Sequence, residues 1–225
     1  FIDLELSKVS PIYLFNLSKY NRLLKERNKF LKLMKERNSK SDPYLEVLNE
    51  QLAALQVDII KKRLNFINQL TALSEVVYQK IANNHEHIRF KYKSFIALDF
   101  DTLYEAILKR YERNIERDIR YTMTQDGIHK DDMKIFINDH DAFDYASQGQ
   151  QRTIVLAIKI ALLELIRIEI GEYPVLLLDD VLSELDESRK GMLLNLLNQK
   201  IQTFITTTSL DDIDQKILRN ASVFV

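Results

Sequence analysis

Two adjacent acidic residues, Asp179 and Asp180, follow the apolar run Val175-Leu176-Leu177-Leu178. A short run that is apolar at every position predicts a central strand, covered on both faces, in a parallel sheet. Ligands bind at the carboxyl edge of such sheets, where both carboxylates would lie. One carboxylate can hold a magnesium ion through its water, and the other can orient or deprotonate a water that attacks a phosphate. The alternative is that the two acids only make the end of the strand soluble and take no part in chemistry.

A second candidate site, Ser147-Gln148-Gly149-Gln150, precedes an apolar run that predicts a helix over 149–170. The start of a helix presents free backbone N–H groups and the positive end of the helix dipole, which together bind anions such as phosphate. The Ser147 hydroxyl adds a further donor, and Gly149 permits a close approach of the backbone. An ordinary polar N-cap is the alternative.

A third segment, Ser183-Glu184-Leu185-Asp186, comes soon after the two acids. By itself it predicts only a loop in which Asp186 caps a helix over 187–199. The three segments together support a functional site more strongly than each does alone. They follow one another along the chain as a polar helix start, a strand that ends in two acids and a capping loop.

These candidate residues lie in a part of the chain where short strands and helices alternate, which is typical of an α/β layer with a mixed sheet. Asp126-Gly127 marks the change to this pattern. Strands are predicted at 133–137, 143–145, 174–178, 201–206 and 222–225, and helices at 149–170, 187–199 and 210–219.

The preceding part predicts a mainly helical arm of long antiparallel helices. Apolar residues recur at spacings of three and four over 12–40 and again over 43–81, and Asp42-Pro43 would end one helix and start the next. A strand over 88–98 and a helix over 102–124, capped by Asp101, complete the prediction.

A row of basic residues occupies the face of the first arm helix opposite its apolar face. Its members are Lys19, Arg22, Lys25, Lys29 and Lys32. Residues 1–100 hold 17 basic against 11 acidic residues, although the whole chain has a formal charge of −1. The row predicts sequence-independent contact with DNA phosphates. Solvated lysines on an exposed helix are the alternative.

The composition excludes several other chemistries. The chain has no cysteine, so disulfide and thiolate chemistry are excluded, and its four histidines are scattered. His85 and His87 would make at most a weak metal pair, with exposed loop histidines as the alternative.

No apolar run reaches the length of a membrane span, which predicts a cytoplasmic protein without a membrane partner. The chain starts at Phe1, which predicts that it is a piece of a longer protein.

The three segments resemble, in order and spelling, the signature motif, Walker B motif and D-loop of the ABC-type ATPases. Within that superfamily they are most similar to the RecF family, whose architecture is related to the heads of SMC proteins and Rad50. The match is dense over 126–225, including the run from Gly127 to Asp132, and looser over the arm. The resemblance implies that residues 1–11 end a first ATPase lobe, 12–125 form the helical arm lobe and 126–225 form the remaining ATPase lobe.

Carried over to this chain, the resemblance implies a role for each candidate residue. Asp179 would bind Mg²⁺ through a water, and Asp180 would replace the catalytic glutamate of most ABC proteins. The signature residues would contact ATP that is bound by a second protomer: Ser147, Gln148, Gly149 and Gln150. Ser183 and Asp186 would belong to the D-loop. The switch position, which is histidine in most ABC proteins, would fall among Thr206, Thr207 and Thr208, of which we select Thr207.

The chain lacks a G-x-x-x-x-G-K-[ST] phosphate loop, so we expect these 225 residues alone not to hydrolyse ATP. For the intact protein the resemblance implies a slow ATPase of recombinational gap repair that dimerises with ATP. The intact protein would bind double-stranded DNA and single-strand junctions. There RecO and RecR would help it to load the RecA recombinase. The alternatives are the head of an SMC, Rad50 or RecN-type ATPase, and a helical adaptor that is not an enzyme.

Overall fold

Long helices form most of the first 121 residues. The computed structural model describes residues 1–82, 86–179, 181–185, 190–191, 193–195, 201–207, 213, 218–219 and 221–223. The helices are α1 (Ile2–Val9), α2 (Pro11–Glu36), α3 (Pro43–Ile81), α4 (Leu103–Tyr121), α5 (Ala142–Tyr145) and α6 (Gln148–Ile170). The strands are β1 (Ile88–Lys93), β2 (Asp132–Ile137), β3 (His140–Asp141), β4 (Leu176–Asp179) and β5 (Thr203–Thr206). None of the described helices is both long and apolar enough to cross a membrane.

The chain divides into two compact units, each built from two stretches of sequence. Unit 1 comprises Phe1–Asn68 and Phe90–Lys134, and unit 2 comprises Gln69–Arg89 and Ile135–Val225. Strands β1, β2 and β3 form one sheet in that order, and β4 pairs with β5 in a separate parallel sheet. The division into lobes at residues 11 and 125 stays a prediction.

In unit 1, Ser10 and Pro11 favour the start of helix α2. The Ser10 hydroxyl accepts a hydrogen bond from the amide of Tyr13, and proline fits the first helical position. The buried face follows the predicted spacing: Tyr13, Tyr20, Leu23, Arg27, Leu31 and Met34. Arg27 is the one charged member of this buried face.

Arg27 is fully buried and surrounded by partners from three other segments. Its Nε donates to Asn49 at 2.7 Å, and its Nη1 donates to Asp118 at 2.8 Å and to the hydroxyl of Thr124 at 2.7 Å. The guanidinium lies 4.5 Å from the ring centre of Tyr111, a cation–π contact. Burial raises the pKa of Asp118, whereas the charge of Arg27 lowers it. A buried charge needs such partners, so this cluster fixes the packing of α2 against α3 and α4.

Arg63 of α3 joins the chain start to the segment that follows Asp126. It donates from Nη2 to Asp3 at 2.8 Å and from Nη1 to the carbonyl of Ile128 at 2.8 Å, and Asp131 lies 3.6 Å from Nη1. Helix α1, which we did not predict, is therefore tied to α3 by its own Asp3.

Gly127 lies at a bend before a 3₁₀ turn at Ile128–Lys130. Its φ is +151°, and a Cβ atom there would lie 2.7 Å from the Tyr20 hydroxyl. Next to it, the ring of His129 is held between Tyr20, whose hydroxyl lies 2.8 Å from Nδ1, and the carbonyl of Thr124, 3.2 Å from Nε2. A carbonyl only accepts, so Nε2 carries the proton and Nδ1 accepts from the tyrosine. Burial lowers the pKa of His129.

Two local predictions are wrong. The N-cap of α4 is Thr102, not Asp101, and the turn before it is organised by Asp99, whose carboxylate accepts from the Thr102 hydroxyl at 2.9 Å. The predicted strand over 143–145 is helix α5, because Asp141 caps the amide of Phe143 at 3.1 Å.

A third expectation, a β4 strand covered on both faces, is also wrong for the described residues. Leu178 is buried, but Val175 is 55% exposed and Leu177 is 72% exposed. Successive strand side chains point to opposite faces, and the described residues cover only one of them. The helices predicted at 187–199 and 210–219 and the strand at 222–225 fall largely outside the described residues.

Candidate functional site

Ser147 forms the N-cap of α6 in unit 2. Its hydroxyl accepts from the amide of Gln150 at 3.2 Å, and the Gln150 side-chain oxygen accepts from the amide of Ser147 at 2.8 Å. This reciprocal pair is a capping box, which fixes the first turn of a helix. Ser147 itself is exposed. The turn is therefore rigid and open to solvent.

The first turn of α6 suits an anion. Gln148 is exposed, Gly149 is half-buried, and the turn contains no acidic residue. The capping box uses the amides of Ser147 and Gln150. The amides of Gln148 and Gly149 are therefore the ones that can face an anion, and the helix dipole adds a partial positive charge. Thr153 donates its hydroxyl proton to the carbonyl of Gly149 at 2.8 Å, which holds the glycine backbone in place.

The carboxyl end of the β4/β5 sheet carries a second group of polar side chains. Asp179 and Thr206 end the two parallel strands as register partners, and the Thr206 hydroxyl donates to Asp179 Oδ1 at 2.6 Å. Both side chains are exposed. Carboxylate and hydroxyl oxygens are hard donors of the kind that Mg²⁺ prefers, and Mg²⁺ commonly uses one or two carboxylates together with substrate phosphates. The donor set thus fits the predicted ion.

The structure describes only some of the other predicted site residues. Asp180 and Asp186 lie outside the described residues, and Ser183 belongs to a 3₁₀ turn, Val181–Glu184. Thr207 directly follows β5 and is half-buried. Thr206, which lies within the predicted switch range, is in contact with Asp179, and the selection of Thr207 stays a prediction. The register of the two parallel strands, which the predicted strand bounds do not specify, puts Thr206 opposite Asp179.

The predicted DNA-binding row lies on the exposed side of α2 in unit 1. All five members are exposed: Lys19, Arg22, Lys25, Lys29 and Lys32. Arg27 on the same helix points into the core and cannot contribute to this surface. The row is therefore a continuous cationic surface with a buried arginine beneath it.

The possible metal pair of His85 and His87 gains no support. His85 lies outside the described residues, and Nδ1 of His87 lies 2.6 Å from Glu75 Oε1. Within the described part of the chain, no three histidine, aspartate or glutamate side chains cluster as metal ligands.

Sequence reasoning missed Glu86, which contacts the first turn of α6, and Tyr78, which contacts Glu86. Glu86 accepts from the side-chain amide of Gln150 at 2.6 Å, and Tyr78 donates its hydroxyl proton to Glu86 at 2.6 Å. Both lie more than 60 positions before Gln150, and nothing in the local pattern connects them to it. Only the fold brings them together.

Comparison with known proteins places this geometry in a family. Curated relatives named DNA replication and repair protein RecF are 44% identical in Staphylococcus carnosus and 42% identical in Staphylococcus haemolyticus and Staphylococcus aureus. Each match covers 100% of this chain, and the chain spans 62% of the length of these relatives. No family model matches the chain.

Two solved structures have a similar fold. They are described as the recombination mediator protein RecF-ATP and RecF-ATPrS in the RecFOR pathway. Each superposes with a TM-score of 0.83 at 37% identity, over 95% of this chain and 57% of the other. The predicted fold class, an ABC-type α/β ATPase lobe with a mainly helical arm lobe, is thereby confirmed. The sequence identity over the whole chain and the shared fold agree, and these 225 residues belong to the RecF family.

Proposed function

We propose that the full-length protein carrying this chain is a DNA-binding ABC-type ATPase of recombinational gap repair. The observation that carries the proposal is the exposed, capped start of α6 at Ser147, in a chain whose solved relative is described with ATP. ATP acts as a clamp in this proposal. Its binding joins two subunits because each nucleotide is shared between them, and its slow hydrolysis separates them.

In this clamp the α6 turn contacts ATP that is bound by the other protomer. Ser147 and Gly149 face the γ-phosphate, and Gln148 and Gln150 complete the turn. The rigid capping box supports this role, because an anion site whose amides are already oriented loses little entropy on binding. Ser183 and Asp186 belong to the D-loop at the same interface.

The carboxyl end of β4 serves ATP held by its own protomer. Asp179 binds Mg²⁺ through a water, and the ion neutralises phosphate charge when it is bound. Asp180 orients the attacking water and accepts its proton. Thr206 and Thr207 occupy the switch region, where a hydroxyl replaces the imidazole of other ABC proteins. The hydrogen bond from Thr206 to Asp179 favours Thr206 for this contact.

We further propose that the protein acts on double-stranded DNA and single-strand junctions in the cytoplasm. The relatives named for DNA replication and repair support the action on DNA, and the solved relative described within the RecFOR pathway supports RecO and RecR as partners. Loading of the RecA recombinase would be the outcome. Residues 1–11, 12–125 and 126–225 would be the end of a first ATPase lobe, the arm lobe and the remaining ATPase lobe.

The test is Ser147→Arg in the full-length protein. We expect each monomer to bind one ATP as before, while ATP-dependent dimers in sedimentation velocity disappear, because the large cation fills the turn that meets the partner's nucleotide. Ser41→Arg, which adds the same side chain at an exposed loop, is the control. Normal dimers of Ser147→Arg would reject the contact in trans. A wild-type protein that neither binds ATP nor dimerises with it would favour a helical adaptor.

A further inference from the structure

We propose that Glu86, held in place by Tyr78, is a positioning residue for the signature turn. It fixes the side chain of Gln150 and thereby the orientation of Ser147 toward the partner's nucleotide. The inference rests on the proposed function of Ser147, which it deepens by naming residues from another part of unit 2.

The first step is that both ends of the Gln150 side-chain amide are engaged. Its oxygen accepts from the amide of Ser147 at 2.8 Å, and its nitrogen donates to Glu86 Oε1 at 2.6 Å. An amide held at one end can rotate, whereas one held at both ends has a single orientation. The contact with Glu86 therefore selects the Gln150 conformation that completes the capping box.

The second step is that Glu86 is itself fixed. Its other oxygen, Oε2, accepts at 2.6 Å from the hydroxyl of Tyr78, a fully buried residue of α3. A carboxylate only accepts hydrogen bonds, and those that it accepts are stronger than neutral ones. Glu86 thus bridges two donors, one on α3 and one on α6.

The third step is that the backbone directly after Glu86 is anchored by two sets of contacts. Glu75 of α3 accepts from the amide of Ile88 at 2.6 Å. His87 and Asn138 exchange two hydrogen bonds of 2.9 Å, one to the asparagine side chain and one between backbones. The residue that orients Gln150 therefore does not depend on a single contact.

These contacts allow a test in which the hydrogen bond is reversed. Gln150→Glu keeps an oxygen for the amide of Ser147, so the capping box can still form, but it places a carboxylate against Glu86. Glu86→Gln restores a donor toward that carboxylate and keeps an oxygen for Tyr78. The double variant Glu86→Gln with Gln150→Glu therefore has the same link with donor and acceptor exchanged.

The experiment uses the full-length protein and measures three quantities: ATP bound per monomer, the ATP concentration for half-maximal dimerisation, and hydrogen exchange of the Ser147 and Gln150 amides without nucleotide. We expect Gln150→Glu and Glu86→Ala to raise the half-maximal ATP concentration about tenfold, the scale of one charge-assisted hydrogen bond, and to speed exchange. Tyr78→Phe should act in the same direction. ATP bound per monomer should not change.

The double variant should return to within about threefold of wild type, because its hydrogen bond is restored. Glu169→Gln, the same substitution at an exposed position of α6, should match wild type throughout. A double variant as weak as Gln150→Glu alone would overturn the proposal, since Gln150 would then act directly and not through Glu86. Wild-type behaviour of Glu86→Ala would also overturn it.

Hydrogen exchange separates this proposal from the proposed function. If the wild-type protein does not dimerise with ATP, the proposed function fails, but exchange of the Ser147 amide still tests the link. Unchanged exchange in Glu86→Ala would then refute the positioning role, and faster exchange that the double variant reverses would support it.

Discussion

The hydroxyl of Thr206 donates a 2.6 Å hydrogen bond to Oδ1 of Asp179 across two parallel strands that end together. The bond uses one oxygen of the carboxylate and limits its rotation. A carboxylate that is already oriented meets a magnesium ion at a smaller entropic cost than a freely rotating one.

Magnesium dependence should therefore distinguish the two threonines. We expect Thr206→Val to raise the magnesium concentration for half-maximal ATP turnover by the full-length protein about tenfold, the lower end of the range seen when an outer partner of a metal ligand is removed. Asp179→Asn should raise it further, because it removes the negative charge. Thr207→Val is the comparison, because Thr207 is the other described candidate for the switch. A larger effect of Thr207→Val than of Thr206→Val would favour Thr207 as the switch residue.

The basic row on α2 should contribute to DNA affinity through charge alone. Replacing Lys25, Lys29 and Lys32 with glutamate should weaken DNA binding and flatten its dependence on log salt by roughly 0.9 unit for each phosphate that the row no longer neutralises. ATP binding should be unchanged. The control replaces three other exposed lysines, Lys62, Lys91 and Lys93, for the same change in net charge. Equal effects of the two triple variants would assign the weaker binding to net charge and not to this row.

The Arg27 cluster predicts a strong effect on stability. Arg27→Met leaves Asp118 buried without its charged partner, which should lower the free energy of unfolding by about 3–5 kcal/mol in urea titrations. Arg27→Met with Asp118→Asn should recover much of this stability, because the remaining amide is neutral and can still accept from the amide of Gln125, 3.0 Å from Oδ1. If the double variant were no more stable than Arg27→Met, the buried charge would not be the cause.

His129 should make stability fall as the pH is lowered. Burial holds its pKa below the ordinary value of 6.5, so the unfolded chain takes up the proton at a higher pH than the folded chain does. The contribution of His129 to the free energy of unfolding is then complete above about pH 6.5. It decreases as the pH falls through that value toward the folded pKa. Unfolding by urea between pH 7.5 and 5.5 should show a smaller slope for His129→Gln than for wild type. Equal slopes for wild type and His129→Gln would show that His129 is not the cause.

Sequence reasoning succeeded where local signals were strong. Helix α3 has its predicted bounds, because Pro43 fixes its first turn and no glycine interrupts the apolar spacing that follows. The start of α6 was found to within one residue, because Ser147 and Gln150 form a cap that is written in four adjacent positions.

Reasoning from the sequence failed where contacts join distant positions. The burial of Arg27 depends on Asn49, Asp118 and Thr124, which are 22, 91 and 97 positions away. Helix α1 is short, and its position depends on the contact between Asp3 and Arg63. The link from Gln150 to Glu86 spans 64 positions. No periodicity or motif records such pairs in a single sequence.

The division of unit 1 into two stretches of sequence affects the order of events during synthesis. Arg27 and Arg63 are made early, but Asp118, Thr124 and Asp131 belong to the later stretch, Phe90–Lys134. At typical rates of about 5–20 residues per second, the ribosome needs roughly 3–13 seconds to pass from residue 68 to residue 134. During this interval both arginines lack the acidic partners of the later stretch. The nascent helices α2 and α3 therefore pass through a stage in which chaperones and proteases can reach what later becomes the core.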